Sequence, residues 1–248
     1  MNDCSIKVCL LGWWGAFPQA GEACCSVLAE TAEGRLLLDC GCGSLSRFFK
    51  YAGAEDLEGV LLSHFHFDHF SDLECLLYAV GNKLRMGLRR EKLRVYAPAS
   101  PEPLRAVIEY PAFSMTETLR EGMEFTMAGM NITVMKVDHP VECYAFRLER
   151  QGKVLVYFTD TAYLPGSADF IRAADLLICE ATMSSGSRHS TGLGHMSDRE
   201  AGVTAREGGA KRLCLFHLPS DGDPAYMRRQ AALEFGGEVQ TPDRRQVF

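Results

Sequence analysis

The sequence predicts an α/β fold around mixed sheet on three observations. Short apolar runs of strand length recur along the chain, amphipathic helices fall between several of them, and two neighbouring runs close as a hairpin. The runs are Ile6 to Leu11, Leu36 to Leu38, Val60 to Leu62, Ile132 to Val137, Val154 to Phe158, Leu176 to Cys179 and Leu213 to Phe216. Most are rich in β-branched or large apolar residues and lack helical periodicity, as strands do.

Three helices carry start signals. The first is expected at Ser71, where Ser71 and Glu74 match a capping box and Leu73, Leu76, Leu77, Val80 and Leu84 mark one apolar stripe. A second begins near Ser197, with Glu200 completing its box. The third runs from Pro224 to Phe235, with Asp223 as N-cap, Pro224 at the first helical position and Gly236 as a stop. Arg150-Gln151-Gly152-Lys153 reads as a turn joining Cys143–Leu148 to Val154–Phe158. No repeat, low-complexity tract or linker divides the 248 residues, so one domain over 1–248 is expected.

Composition excludes several classes. A formal net charge of -6 argues against a surface built mainly for nucleic acid, which needs Lys and Arg to neutralise phosphates. No apolar run approaches the ~20 residues that span a bilayer, and Met1-Asn2-Asp3-Cys4 lacks the regions of a signal peptide, so a cytoplasmic protein is expected. The ten cysteines are scattered, several inside strand-like segments, and are read as mostly reduced and buried. Cys24-Cys25 and Cys40-x-Cys42 lack the C-x2-C spacing of zinc knuckles and are taken as core residues.

Five runs lead into a residue of metal-ligand type. Leu38 precedes Asp39, Leu62-Ser63 precedes His64, Val137-Asp138 precedes His139, Phe158-Thr159 precedes Asp160, and Phe216 precedes His217. Residues at strand ends can converge on one edge of a sheet. The densest cluster, His64-Phe65-His66-Phe67-Asp68-His69, holds three of the seven histidines and a carboxylate, the ligand set expected for zinc and its neighbours. Alternate residues of an extended loop can aim His64 and His66 at one ion while Asp68 and His69 turn toward a second. His139 and His217 can complete the two sites, with Asp160 bridging.

His64-x-His66-x-Asp68-His69, followed in order by His139, Asp160 and His217, resembles the metallo-β-lactamase superfamily over nearly the whole chain. The resemblance implies a four-layer αββα sandwich with mixed sheets and a dinuclear site at one edge. His64, His66 and His139 would hold one metal, Asp68, His69 and His217 the other, and Asp160 both, with Asp39 supporting the site from behind. Two divalent ions are expected, zinc foremost, with manganese or iron able to occupy similar sites. A water between two such cations loses its proton near neutral pH and becomes a nucleophile.

The same superfamily cleaves β-lactams, lactones, thioesters, sulfates and phosphodiesters, so the substrate must be read from other residues. Cys179-Glu180-Ala181-Thr182 and Gly194-His195-Met196-Ser197 are similar to motifs of the ribonuclease Z branch. Carried over, Glu180 orients His195, and His195 gives a proton to the leaving oxygen or steadies charge at the phosphate, with Asp68 as the third catalytic residue. Only 20 residues separate His139 from Asp160, too few for the long tRNA-gripping arm of ribonuclease Z. A smaller or nucleotide phosphodiester is therefore favoured over RNA, with an RNA 3′ endonuclease or a lactone or thioester hydrolase as alternatives. Ribonuclease Z relatives also suggest a homodimer. His189 is left out of the site. The basic segment Lys83, Arg85, Arg89, Arg90, Lys92 and Arg94 could guide phosphate or be a solvated helix end, and Trp13, Trp14 and Phe17 could stack on a base or pack in the core.

Overall fold

The structure is a computed structural model, and it describes residues 5–110, 112–186, 194–242 and the backbone of 246–247. The first half supplies β1 (Lys7–Gly12), β2 (Trp14–Gly15), β3 (Ser26–Glu30), β4 (Arg35–Leu38), α1 (Ser44–Phe48), β5 (Gly59–Leu61), α2 (Phe67–Phe70), α3 (Leu73–Arg85), β6 (Leu93–Ala97), α4 (Glu102–Glu109) and β7 (Ser114–Thr118). The second half supplies β8 (Glu124–Met127), β9 (Met130–Lys136), β10 (Tyr144–Arg150), β11 (Lys153–Phe158), α5 (Ala168–Ile171), β12 (Leu176–Glu180), α6 (Asp198–Glu207), β13 (Arg212–Phe216), β14 (Leu218–Pro219), α7 (Pro224–Phe235), β15 (Glu238–Gln240) and β16 (Gln246–Val247).

Two seven-stranded mixed sheets result, in the orders β16-β1-β3-β4-β5-β6-β7 and β15-β13-β12-β11-β10-β9-β8. Side chains alternate between the faces of a strand, and the three core clusters follow that alternation. Leu36, Leu38 and Leu61 of the first sheet meet Phe146, Leu155, Tyr157, Ile178 and Phe216 of the second in the innermost cluster. Leu37, Val60 and Val95 point the other way, onto Leu73, Leu76, Leu77 and Val80 of α3 and Ile108 of α4. On the opposite outer face Val156, Phe158, Leu177 and Leu215 pack on Ala201 and Ala205 of α6 and on Met227 and Ala231 of α7. Three cores between four layers make the αββα sandwich. Each fully buried Leu, Val or Phe contributes about 1.5–3 kcal/mol relative to exposure, which explains why the central strands are apolar on both faces.

The predicted hairpin is present: Arg150 pairs with Lys153 across a two-residue turn in which Gln151 and Gly152 have φ of 46° and 81°. Positive φ at both central residues is what a type I′ turn requires. The segment between His139 and Asp160 is thus spent on β10 and β11, and no arm projects from it.

Two of the three helix starts are capped as expected. Ser197 and Glu200 form a reciprocal capping box on α6, and the Asp223 carboxylate accepts from the amides of Ala225 and Tyr226, with Gly236 at φ 72° closing α7. The start at Ser71 needs correcting. Helix α3 begins at Leu73 with Asp72 as N-cap and no side-chain cap, because a separate short helix, α2, comes first and ends at Ser71. The Ser71 hydroxyl donates back to the Phe67 carbonyl, and the Asp72 carboxylate accepts from the Leu45 amide of α1 at 2.9 Å. The apolar stripe of α3 is buried as its spacing predicts, with Leu84 only partly so.

Candidate metal centre

All the strand-end residues singled out by the sequence meet on one edge, where the C-terminal ends of β4, β5, β9, β11, β12 and β13 lie together. Asp39, Asp160 and His217, each just past a strand, adopt left-handed φ of 59°, 32° and 50°. Such backbone costs on the order of 1–3 kcal/mol per residue and persists where surrounding contacts over-determine it. Here it turns each side chain out of its strand and into the cluster.

The innermost atoms face Asp160. Its carboxylate lies 3.5 Å from His64 Nε2, 3.4 Å from His69 Nε2, 3.3 Å from His217 Nε2 and 4.0 Å from His139 Nε2. Asp68 stands 3.0 Å from His217 Nε2 and 3.6 Å from His69 Nε2. His66 presents Nδ1 to His139 Nε2 at 3.1 Å. The candidate ligand atoms of His64, His66, His139 and Asp160 all lie within 4.8 Å of one another.

Four imidazoles are held from behind through the other ring nitrogen, which fixes both tautomer and aim. Asp39, fully buried, accepts from His69 Nδ1 at 2.7 Å, from the Ser63 amide at 2.7 Å, from the Ser63 hydroxyl at 2.8 Å and from Tyr157 at 2.8 Å. The Ser63 oxygen, having given its proton to Asp39, accepts from His64 Nδ1 at 3.0 Å. His139 Nδ1 donates to the Gly194 carbonyl at 2.9 Å. Gly194 has φ 75°, and a Cβ there would come within 2.9 Å of His139 Nδ1, so only glycine fits. His217 Nδ1 donates to the Thr182 hydroxyl at 2.7 Å, and Thr182 in turn donates to Glu180 at 2.7 Å.

Each of these rings therefore turns a bare nitrogen inward. His64 Nε2 and His69 Nε2 are buried without any hydrogen-bond partner among the described residues. Three buried carboxylates, Asp39, Asp68 and Asp160, surround them. Inward lone pairs and uncompensated buried negative charge together form a donor set that fits divalent cations. The electrostatics agree. Burial and the charge of the neighbouring histidines push His64 far below the usual histidine range, and burial lowers His66 and His139 as well. Burial also acts against charge on His69 and His217, but Asp160 and Asp68 outweigh it, raising His69 strongly and His217 to about 9. The carboxylates thus draw in positive charge.

Beside this cluster stands a second pair. Glu180, buried at the last position of β12, accepts from His195 Nδ1 at 2.9 Å, the Thr161 amide at 2.7 Å and the Thr182 amide at 3.1 Å. The His195 ring is partly exposed and stacks on His217 with centroids 5.4 Å apart, and lies 5.1 Å from His139. Burial pulls its basicity down, but the hydrogen bond and charge of Glu180 prevail and the net position is raised.

A family profile described as "Beta-lactamase superfamily domain" matches residues 34–218. The chain belongs to the metallo-β-lactamase superfamily. A relative from Bacillus subtilis (strain 168), YhfI, described as a probable metallo-hydrolase, is 35% identical over 94% of this chain and 96% of its own length. The crystal structure of that metallo-β-lactamase fold protein superposes with a TM-score of 0.91 at 34% identity, covering 100% of this chain and 99% of that one. The ribonuclease Z of Halorubrum lacusprofundi is 25% identical over 96% of this chain and 95% of its own length. As a superfamily member with this donor set, the chain is a metal-dependent hydrolase that binds divalent metal.

Other candidates from the sequence resolve differently in this superfamily member. Trp14 is core, Trp13 is half-buried beneath the Arg47 guanidinium, and Phe17 is 65% exposed. In the basic segment, Lys83 pairs with Glu55, and Arg89 donates to the carbonyls of Ala54, Leu57 and Glu91. These two cations serve the fold. His189 lies outside the described residues. No described helix is long and apolar enough to cross a membrane. Cys9, Cys24, Cys25, Cys40, Cys143, Cys179 and Cys214 are buried, as the composition suggests, while Cys42 and Cys75 are exposed.

Other site residues carry no signature in the sequence, Thr182 and Gly15 among them. Thr182 was visible only as the last letter of Glu180-Ala181-Thr182, and nothing in the spacing ties it to His217. Gly15 lies under the ring of His217: a Cβ there would sit 2.0 Å from His217 Cε1. The parallel pairing of β2 with β14, Trp14 with Leu218 and Gly15 with Pro219, brings it there, and a turn of sequence between two Trp and an Ala gives no sign of it.

Proposed function

We propose that the chain, acting over 1–248 as one catalytic domain, is a dinuclear phosphodiesterase for small or nucleotide phosphodiesters. The observation that carries this reading is the Glu180–His195 pair, set at 2.9 Å beside the His139 and His217 rings and partly open to solvent. A phosphodiester gives such a pair two tasks, because its leaving alkoxide needs a proton and its phosphate carries charge that an imidazolium can steady.

In this reading His64, His66 and His139 would hold one cation and Asp68, His69 and His217 the other, with Asp160 available to both, and the imidazole-rich set favours zinc. When bound, two such cations steady phosphate oxygens and make water acidic enough to attack near neutral pH. The protein's own part is orientation. Asp39, Ser63, Gly194 and Thr182 hold the imidazoles so that their bare nitrogens point inward. Glu180 keeps His195 Nδ1 engaged, which leaves Nε2 to carry the proton delivered to the leaving oxygen. Asp68, 3.0 Å from His217 Nε2, keeps negative charge at the same edge.

The tight hairpin between His139 and Asp160 and the net charge of -6 support a small diester over transfer RNA. RNA 3′ cleavage is the second reading, favoured by similarity to ribonuclease Z along nearly the full length of both chains.

The test is turnover of bis-p-nitrophenyl phosphate and thymidine p-nitrophenyl monophosphate, with a transfer-RNA precursor, a lactone and a thioester alongside. Metal-loaded parent, His195→Ala and Asp68→Ala proteins are compared, with metal content measured in each. Diester cleavage that falls about 10²- to 10⁴-fold in His195→Ala while metal is retained supports the proposal. Preference for the lactone or thioester, unaffected by His195→Ala, rejects it, and efficient precursor cleavage moves the assignment to the second reading.

A further inference from the structure

Cys25 stands apart from the other buried cysteines. Its Sγ and the ligand nitrogens of His69 and His217 all lie within 4.8 Å of one another, and all three residues are buried. His69 Nε2, in that same group, is one of the buried nitrogens with no hydrogen-bond partner. Among the described residues the thiol donates a weak hydrogen bond to the Trp14 carbonyl at 3.8 Å, which leaves the lone pairs of the sulfur available.

The backbone holds it in place. Gly41 donates its amide to the Cys25 carbonyl at 3.0 Å, and a Cβ on Gly41 would fall 1.9 Å from the Asp68 carbonyl and 2.9 Å from Cys24 Cβ. The entry to β3 is therefore packed directly on the chain that carries Asp68 and His69. Cys25 belongs to the core between the sheets, so its sulfur approaches from inside the sandwich, whereas His195 is partly exposed.

We propose that Cys25 is a further ligand of the cation held by His69 and His217, contributing a thiolate from the interior. This rests on the reading that cations occupy the cluster. Binding would expel the thiol proton to solvent and form one metal–sulfur bond, as thiol ligands do. A soft thiolate joined to imidazoles biases that position toward zinc, cobalt and copper and away from manganese or magnesium.

The experiment is cobalt substitution of the full-length protein, reading the sulfur-to-cobalt charge-transfer absorption in the near ultraviolet for the parent, Cys25→Ser and Cys24→Ala. Cobalt equivalents are measured in parallel, and X-ray absorption on the zinc-loaded parent, which needs no variant, looks for one sulfur scatterer at about 2.3 Å. The expected result is a charge-transfer band in the parent and Cys24→Ala that is lost in Cys25→Ser, together with the sulfur shell. Cobalt bound without such a band, a band that survives in Cys25→Ser, or a zinc environment of nitrogen and oxygen alone overturns the thiolate and leaves the phosphodiesterase reading intact. A parent that binds no cobalt and no zinc overturns both.

Discussion

The Thr182 hydroxyl accepts from Nδ1 of His217 at 2.7 Å. Because the same oxygen donates to Glu180, which in turn holds His195, a candidate metal ligand and the candidate proton donor are oriented through one side chain. Thr182→Val, which keeps the shape and removes the bridge, is expected to lower kcat for a diester by about 10- to 100-fold, the usual effect of losing a partner behind a ligand. Thr182→Ser should retain most of the rate. Steady-state kinetics across pH check this, since a merely structural role would lower stability in Thr182→Val without moving the basic limb of the profile.

Asp39 collects four donors, and one of them is the ring that must present Nε2 to the cluster. Asp39→Asn would set an amide where an acceptor is needed for His69 Nδ1–H. Metal affinity at that position should fall by about 10- to 100-fold, measured by competition with a chromogenic chelator. Unchanged affinity would show that His69 does not depend on Asp39 for its tautomer.

Gly15 has no space for a side chain on the His217 side. Gly15→Ala should displace the His217 ring, giving a folded protein with reduced metal content and diester turnover. Circular dichroism and elemental analysis separate this from global unfolding. Parent-like metal content in Gly15→Ala would mean that the loop yields instead of the ring.

Removing metal should also cost stability. With free metal at about a thousand times its dissociation constant, binding contributes roughly 4 kcal/mol, or a Tm about 10 °C higher than in chelated protein. Thermal scans with and without chelator, followed by zinc or manganese readdition, read this directly, and no shift would argue against occupancy of the cluster.

Far from the site, Asp175 links two strands and a turn. Burial works against its charge, but hydrogen bonds from Lys211 and the Val154 amide and the nearby Lys153 hold its carboxyl below the usual range. A folded pKa below the unfolded one means stabilisation that is present above about pH 4 and lost as pH falls through the folded value. Asp175→Asn should be less stable than the parent at pH 7, with the deficit shrinking toward acid in urea titrations.

Much of this was readable in the chain. Unbroken apolar runs marked Leu36–Leu38 and Leu176–Cys179 as strands because burial on both faces leaves no room for polar residues, and the residues that follow such runs are the ones that meet at the edge. The edge strands β7 and β8, Ser-Met-Thr-Glu-Thr and Glu-Phe-Thr-Met, escaped notice because one face meets water and their periodicity is diluted. Ser71 misled because a capping pattern is local, whereas the position of α2 is set by its contacts with β4 and the cluster: Cys40 donates its amide to the His69 carbonyl at 2.7 Å. Thr182, Gly15 and Cys25 were illegible for a shared reason. Each lies beside a residue remote in sequence, and nothing in their own neighbourhood reports that distance.

The Asp68–His217 contact joins residues 149 positions apart, one from helix α2 after β5 of the first sheet and one just past β13 of the second. Closing so long a loop is slow and entropically unfavourable, and is rewarded only once both sheets have condensed against each other. The edge cluster should accordingly be among the last features to assemble during folding. A nascent chain emerging with its first half alone would carry Asp39 and the His64 to His69 segment but none of the partners from β9, β11 or β13, and would hold metal weakly. The candidate donor set is thus divided between the two halves of the sequence, and only the paired sheets present it whole.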